Sequence, residues 1–180
     1  MQIFSETHPS NVFSYCPKCG SGKLLFDGVK VLSCNDCGFN FYINPAPAVA
    51  VILVYPDGKI VLTRRKHDPM KGTYDLPGGF VEINERIEDA VVRETFEELH
   101  VKVTGMNYLG SFPNEYVYKG ISYFTCDLAF VCPVPDGTEL HPSDDVSEAI
   151  KIKPKDIDYR QISFLSIRNI LQLYISRLGD

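Results

Sequence analysis

Gly78-Gly79-Phe80-Val81-Glu82-Ile83-Asn84-Glu85-Arg86-Ile87-Glu88-Asp89-Ala90-Val91-Val92-Arg93-Glu94-Thr95-Phe96-Glu97-Glu98-Leu99 opens on two glycines, and from Glu85 onward it contains neither Gly nor Pro. The pattern predicts a loop and short strand over residues 76–81, followed by a helix over residues 85–99. At about 100° per residue, Glu94, Glu97 and Glu98 fall within an arc of about 100° on one helix face. Glu94 stands i,i+4 from Glu98 and i,i+3 from Glu97, so the three carboxylates repel one another. Such crowding is unfavourable on an isolated helix and becomes sensible around a hard divalent cation. A solvated charged face is the other reading of three acids. The adjacent glycines weigh against it, because they suit a backbone that turns sharply or approaches a ligand closely. A backbone carbonyl in that loop can then complete an oxygen-only shell. Val91, Thr95 and Leu99 lie on an adjoining face and are expected to anchor the helix on a sheet. Arg93, beside Glu97, is placed to orient the carboxylates or offset their charge.

Working outward, Ala48 to Tyr55 is a β-branched apolar run, read as a buried strand. Asp57-Gly58 is a turn signal, with a returning strand over Lys59 to Arg64. Val101 to Leu109, Gly120 to Thr125, Cys126 to Val131 and Glu148 to Lys153 are further strand candidates. Ser163 to Leu178 carries Phe164, Leu165, Ile167, Ile170, Leu171, Tyr174, Ile175 and Leu178 at helical spacing, an amphipathic helix. The mixture predicts an α+β fold in which helices cover a mixed sheet. Upstream, Asn44-Pro45-Ala46-Pro47 favours an extended linker and marks a boundary. Three segments follow: a loose lead-in over 1–13, a small Gly-rich module over 14–44, and the main domain over 45–180.

The small module holds two Cys-x-x-Cys pairs, Cys16/Cys19 and Cys34/Cys37, each followed by Gly (Gly20 and Gly38). This spacing matches a tetrahedral four-cysteine zinc site. The glycines let the chain turn so that backbone N–H groups approach the thiolates. A segment this short cannot bury a sufficient core, so a structural Zn²⁺ is expected to supply its folding free energy. Cys126 and Cys132 lie six apart in an apolar stretch; on one strand they stand about 20 Å apart, too far to bridge, and read as buried thiols. The formal net charge of -5, and a module without a basic stripe, argue against nucleic acid as a partner. No apolar run approaches the ~20 residues of a membrane span, and the first residues lack a signal-peptide pattern, so a cytoplasmic location is the default expectation.

The segment from Gly79 to Val101 resembles the Nudix box, G-x₅-E-x₇-R-E-U-x-E-E-x-G-U, with U a bulky aliphatic residue. All of its charged positions are filled here, by Glu85, Arg93, Glu94, Glu97 and Glu98. Two positions depart: Thr95 stands at U, and His100 replaces the final Gly. Gly72 to Gly79 also resembles the approach to that box, with Tyr74 where the family often has Trp. The resemblance implies an α/β/α sandwich, preceded here by the zinc ribbon, and a Mg²⁺-dependent (or Mn²⁺-dependent) attack of water on a diphosphate. It implies Glu94 and Glu98 as the first metal ligands, with Glu97 and the Gly78 carbonyl next. Glu85 completes the site and Arg93 steadies it. The general base comes from the box in some branches, which points to Glu94. In others it comes from a later loop, where Glu139, Asp144, Asp145 and Glu148 are candidates.

For substrate, Arg64, Arg65 and Lys66 follow a strand and are placed to meet phosphates. Phe80 is a further candidate contact. Among the later aromatics Phe112, Tyr116, Tyr118 and Tyr123, the pair Tyr116 and Tyr118 shares one strand face and suits base stacking. A zinc ribbon before such a box resembles the NADH pyrophosphatase branch. The S-Q-P-W-P-F-P-x-S segment of that branch is missing: Gly110-Ser111-Phe112-Pro113-Asn114-Glu115-Tyr116 stands near its place, and the chain has no Trp. A small nucleotide, ADP-ribose or NAD(H)-like, is the implied substrate; a nucleoside triphosphate, or a non-catalytic nucleotide-sensing or RNA-associated module, is the alternative. Members of the family often pair, so a homodimer is the assembly the resemblance suggests.

Overall fold

A computed structural model describes residues 4–179, which divide into two compact units. One contains the residues up to Pro45 together with Glu115–Phe124; the other contains Ala46–Asn114 and the residues from Thr125 onward.

In the first unit a short helix α1 (Pro9–Val12) precedes three strands, β1 (Leu24–Phe26), β2 (Val31–Cys34) and β3 (Asn40–Tyr42), paired antiparallel in the order β1-β2-β3. The Asp27 carboxylate accepts the N–H groups of Val29, Lys30 and Val31 at 2.8–2.9 Å and so closes the β1–β2 turn. Of the lead-in expected over 1–13, residues 1–3 lie outside the described residues, and the remainder has local structure. Pro9 opens α1, the His8 ring accepts the Ser10 N–H, and His8 is buried. Three aromatic rings around His8 supply the burial that a loose segment would lack.

The second unit holds strands β4 (Ala46–Val54), β5 (Ile60–Arg65), β6 (Tyr74–Asp75), most of β7 (Asn107–Tyr118) and β8 (Ile121–Pro133), and β9 (Val146–Ile152). Helices α2 (Ile87–Leu99) and α3 (Leu165–Leu178) belong to it as well. The sheet runs β6-β5-β4-β8-β7, with β9 on β5. β4 and β8 are parallel from Ala46↔Thr125 to Val54↔Pro133, whereas β4–β5, β5–β6 and β5–β9 are antiparallel, so the sheet is mixed. Along β4 alternate side chains enter two cores. Val49, Val51 and Leu53 join Ala90, Val91 and Leu99 of α2; Ala50 and Ile52 join Ile167, Ile170 and Leu171 of α3. Each fully buried Leu or Ile there contributes about 1.5–3 kcal/mol relative to exposure. The result is the α/β/α sandwich expected from the sequence.

Two strand expectations change. Residues 101–106 are not a strand; β7 begins at Asn107, and the alternation of Val101 and Val103 reflects burial under α2 rather than pairing. The candidates at 120–125 and 126–131 are one continuous strand, β8. Both cysteines of β8 are free. Cys132 is fully buried, and burial pushes its thiol up to about 12. No helix among the described residues is long and apolar enough to cross a membrane.

Candidate active site and metal centre

The loop before α2 is laid along the edge of β4. Val51 donates its N–H to the Pro77 carbonyl and Val49 to the Gly79 carbonyl, both at 2.8 Å, while Val81 donates back to Pro47 at 3.1 Å. The Pro77 and Gly79 carbonyls are therefore taken up by β4, and that of Gly78 is the one between them that this edge does not use. Gly78 has φ +146°, and a Cβ on it would meet the Val49 carbonyl oxygen at 2.0 Å. Only glycine fits so close an approach. Gly79 is tight for a different reason: a Cβ there would meet the Glu94 carboxylate at 2.6 Å.

The helix closes as its departures from the box allow. His100 takes the left-handed conformation (φ 56°, ψ 25°) that the missing glycine would adopt, and its N–H returns to Phe96. Thr95 is fully buried, and its hydroxyl donates to the Val91 carbonyl at 2.8 Å, so the polar group at an apolar position is satisfied within the helix.

The box side chains divide into two groups. Glu98 is buried and accepts the Gly78 N–H at 3.1 Å. Burial pushes its carboxyl well above the usual range, and the negative charges of Glu94, Asp75 and Asp145 add to the shift. Glu94, also mostly buried, is raised by burial in the same direction. The second group centres on Arg93. Its guanidinium donates to both oxygens of Glu85 at 2.7 and 2.9 Å, to Glu94 at 2.8 Å, to Glu97 at 2.9 Å and to the Phe80 carbonyl at 3.1 Å. Arg93, followed by the Glu82 N–H, draws the Glu85 carboxyl down to about 2. Of the three carboxylates expected around a cation, Glu98 stands in the first group, Glu97 in the second, and Glu94 touches Arg93 as well. No three carboxylates among the described residues come within 4.8 Å of one another, because Glu97 leans to Arg93, its i,i+4 neighbour.

A loop after β8 caps the carboxyl end of α2. Ser143 donates its N–H to the Glu98 carbonyl at 2.9 Å and its hydroxyl to that of Glu97, and His141 donates its N–H to Leu99. These are carbonyls of the last turn, which have no partner within the helix. Of the four loop carboxylates proposed as a base, Glu148 is held by Arg64 at 2.7 Å and Glu139 faces His141. Asp144 sits in the turn, its carbonyl accepting from Lys66. Asp145 is the one whose charge reaches Glu98, with its carbonyl fixed by the Lys66 N–H at 2.9 Å.

With this geometry in view, comparison with known proteins places the chain. The profile of the NUDIX domain matches residues 44–170. The chain belongs to the Nudix family. It is 29% identical over 157 residues to the NAD-capped RNA hydrolase NudC of Vibrio atlanticus, covering 86% of this chain and 58% of that protein. It is 40% identical over 113 residues to the ADP-ribose pyrophosphatase of Methanocaldococcus jannaschii, covering 62% of this chain and 63% of that one. It thus spans about three-fifths of the length of each. Among solved structures, a NUDIX hydrolase from Nitrosomonas europaea aligns over 92% of both chains with TM-score 0.65 and 24% identity. The NUDIX domain of Shewanella oneidensis NrtR, complexed with ADP ribose, aligns over 75% of this chain and 89% of its own with TM-score 0.62 and 18% identity. These two likenesses establish the Nudix fold.

Not every substrate candidate reaches the Nudix box in the way the sequence suggested. Arg64 is spent within the chain: it binds Glu148, the Gly72 carbonyl at 2.7 Å and the Tyr74 hydroxyl at 2.6 Å, and lies 4.3 Å over the Tyr74 ring. Arg65 donates to the Pro69 carbonyl and pairs with Asp75 at 3.1 Å. Asp75 was missed by the sequence reading. It is buried, accepts the Leu76 N–H at 2.8 Å, and its charge acts on Glu98. Its place directly before the Leu-Pro-Gly-Gly loop was the available signal. Phe80 pairs with Ala48 across the β4 edge and is 42% exposed. Tyr116 and Tyr118 share one side of β7, with ring centroids 6.3 Å apart, but belong to the first unit.

That unit contains the second centre. The sulfurs of Cys16, Cys19, Cys34 and Cys37 all lie within 4.8 Å of one another, with Cys16–Cys37 at 3.8 Å and Cys19–Cys34 at 3.7 Å. Four thiolates around a tetrahedral Zn²⁺ with Zn–S of about 2.3 Å stand about 3.8 Å apart, so the donors fit that ion. Gly20 and Gly38 have φ 76° and 68° and return their N–H groups to Cys16 and Cys34, closing both knuckles. The N–H of Cys37, reinforced by that of Asp36, draws the Cys34 thiol down to about 7, which favours the ligating thiolate. Cys34→Ser is expected to reduce bound zinc from about one ion per chain to near none and to unfold the β1–β3 module. Elemental analysis and amide exchange test this; a metal-free chain with a protected β1–β3 sheet would refute it.

Proposed function

We propose that this Nudix protein hydrolyses the diphosphate of a nucleoside diphosphate linked to another group, ADP-ribose or an NAD(H)-like dinucleotide, by attack of water at phosphorus. The observation that carries this reading is the buried Glu98 carboxyl, held by the Gly78 N–H beside Glu94, with no lysine or arginine paired to it among the described residues. An all-oxygen set of Glu94, Glu98 and the Gly78 carbonyl, with Glu97 at its margin, suits Mg²⁺ or Mn²⁺. Bound there, the cation neutralises phosphate charge and lowers the pKa of water.

The protein's own groups then have separable tasks. Gly78 and Gly79 hold the backbone against β4 so that Glu98 and Glu94 are aimed at one place. Arg93 and Glu85 form a rigid clamp that sets the Glu94 carboxylate and the Phe80 carbonyl. The proton leaving the attacking water goes to a carboxylate, Glu94 on the helix or Asp145 on the loop. Phe80 offers a face for the base; Arg64 and Arg65 shape the strand end rather than meet phosphate as free charges. The zinc ribbon is structural. The relatives named NAD-capped RNA hydrolase and ADP-ribose pyrophosphatase share the diphosphate linkage this reading assigns as substrate.

The test is a screen with Mg²⁺ over ADP-ribose, NADH, diadenosine polyphosphates and nucleoside triphosphates, reading AMP and phosphate release. Release of AMP and ribose 5-phosphate from ADP-ribose, or of AMP and reduced nicotinamide mononucleotide from NADH, is the expected result. Preference for triphosphates would move the substrate class. Tight binding without hydrolysis would make the protein a sensor.

A further inference from the structure

β7 and β8 are long, but only Thr125–Pro133 of β8 pairs with β4. Beyond that point the hairpin continues as a two-stranded overhang, Glu115–Tyr118 and Ile121–Phe124. It is closed by Lys119 and Gly120, both with positive φ, a tight turn suited to the strand twist. A two-stranded hairpin by itself is marginally stable in water. The overhang carries Tyr116 and Tyr118, and it groups with the zinc ribbon.

The contacts that retain it come from the residues before α1. The Ser122 N–H, on the stretch of β8 that β4 does not cover, donates to the Thr7 carbonyl at 2.8 Å. The Thr7 and Ser122 hydroxyls meet at 2.7 Å, and Ser122 donates onward to Glu115 at 2.5 Å, so one polar chain ties the lead segment to both strands of the overhang. Ser122 is buried. Next to it the His8 ring lies 5.5 Å from Phe124 of the overhang and 5.2 Å from Phe26 of β1, with Phe4 4.4 Å from His8 and 5.2 Å from Phe26. Phe26 pairs with Leu32, two residues before the zinc-ligand candidate Cys34.

We infer that Thr7 and His8 are positioning residues for the Tyr116–Tyr118 face: they bind the hairpin overhang to the ribbon, so that folding of the four-cysteine module sets where those rings stand.

Amide exchange is measured on the full chain, zinc-loaded and zinc-stripped, and on zinc-loaded Thr7→Val and His8→Ala. Zinc removal is expected to speed exchange across 115–124 by about tenfold or more while β4 and α2 stay protected. Both variants are expected to do the same with zinc still bound. Unchanged exchange of 115–124 on stripping zinc, or in both variants, overturns the inference.

Discussion

Glu98→Gln is expected to lower kcat on the order of 10³-fold while leaving the fold intact or firmer. The amide keeps an oxygen to accept the Gly78 N–H and nearly the same volume, so the contact at 3.1 Å survives. What disappears is the carboxyl that can release its proton and bind a cation as a carboxylate. The sign of the pH effect follows from the same fact. The Glu98 carboxyl is raised in the fold, by burial first, above its ordinary value of 4.5. The folded state therefore retains a proton that the unfolded chain has released, and stability is lost as pH rises from about 4.5 through the raised value. In zinc-loaded protein without Mg²⁺, the Tm of Glu98→Gln minus that of the wild type should grow with pH over this window. Mg²⁺ should raise the Tm of the wild type far more than that of the variant. Glu85 acts in the opposite sense and elsewhere: its lowered carboxyl contributes stability that is lost only as pH falls toward about 2, so it does not obscure the comparison. A variant with wild-type kcat at saturating Mg²⁺ would remove Glu98 from the chemistry.

The Glu98 case also shows what the sequence could and could not convey. The helix, its charged face and the glycine pair are contiguous, and contiguous patterns translate directly into local geometry. His100 in the left-handed cap is likewise a local event, legible from a box that ends in glycine elsewhere. The distribution of the carboxylates was not legible. Helical spacing places Glu97 beside Glu94 and Glu98, but Arg93 competes for it on the same helix while Glu98 is drawn to a backbone N–H twenty residues away in sequence. Arg64 and Arg65 looked available because their partners, Glu148 and Asp75, come from other strands. The grouping of 115–124 with the ribbon rests on bonds between Thr7 and Ser122, too distant in the chain for any periodicity to report. Zinc lies between these extremes, since two short knuckles encode half the site each and only the β1–β3 pairing brings them together.

The two glycines before the helix should fail in different ways when given the same methyl group. In Gly78→Ala the new Cβ would stand 2.0 Å from the Val49 carbonyl oxygen, 2.9 Å from its carbon and 3.1 Å from the Ala50 Cα. All three are backbone atoms of β4, paired along its other edge with β8, so they cannot yield without loosening the sheet. The φ of +146° adds strain of its own. A loss of about 3 kcal/mol or more is expected, together with activity, because the loop must leave the β4 edge and take the Glu98 contact with it. In Gly79→Ala the obstacle is the Glu94 carboxylate, at 2.6 to 2.9 Å, the far end of a side chain that can turn away. Stability should fall by only about 1 kcal/mol. Turning Glu94 breaks its contact with Arg93 and moves one of the two carboxylates proposed as principal metal ligands, so kcat should fall by about 10- to 100-fold in a protein that still melts cooperatively. Calorimetric Tm values beside kcat for the two variants separate the roles. Equal destabilisation of both, or a wild-type kcat in Gly79→Ala, would mean that the Glu94 carboxylate is not where the chemistry depends on it.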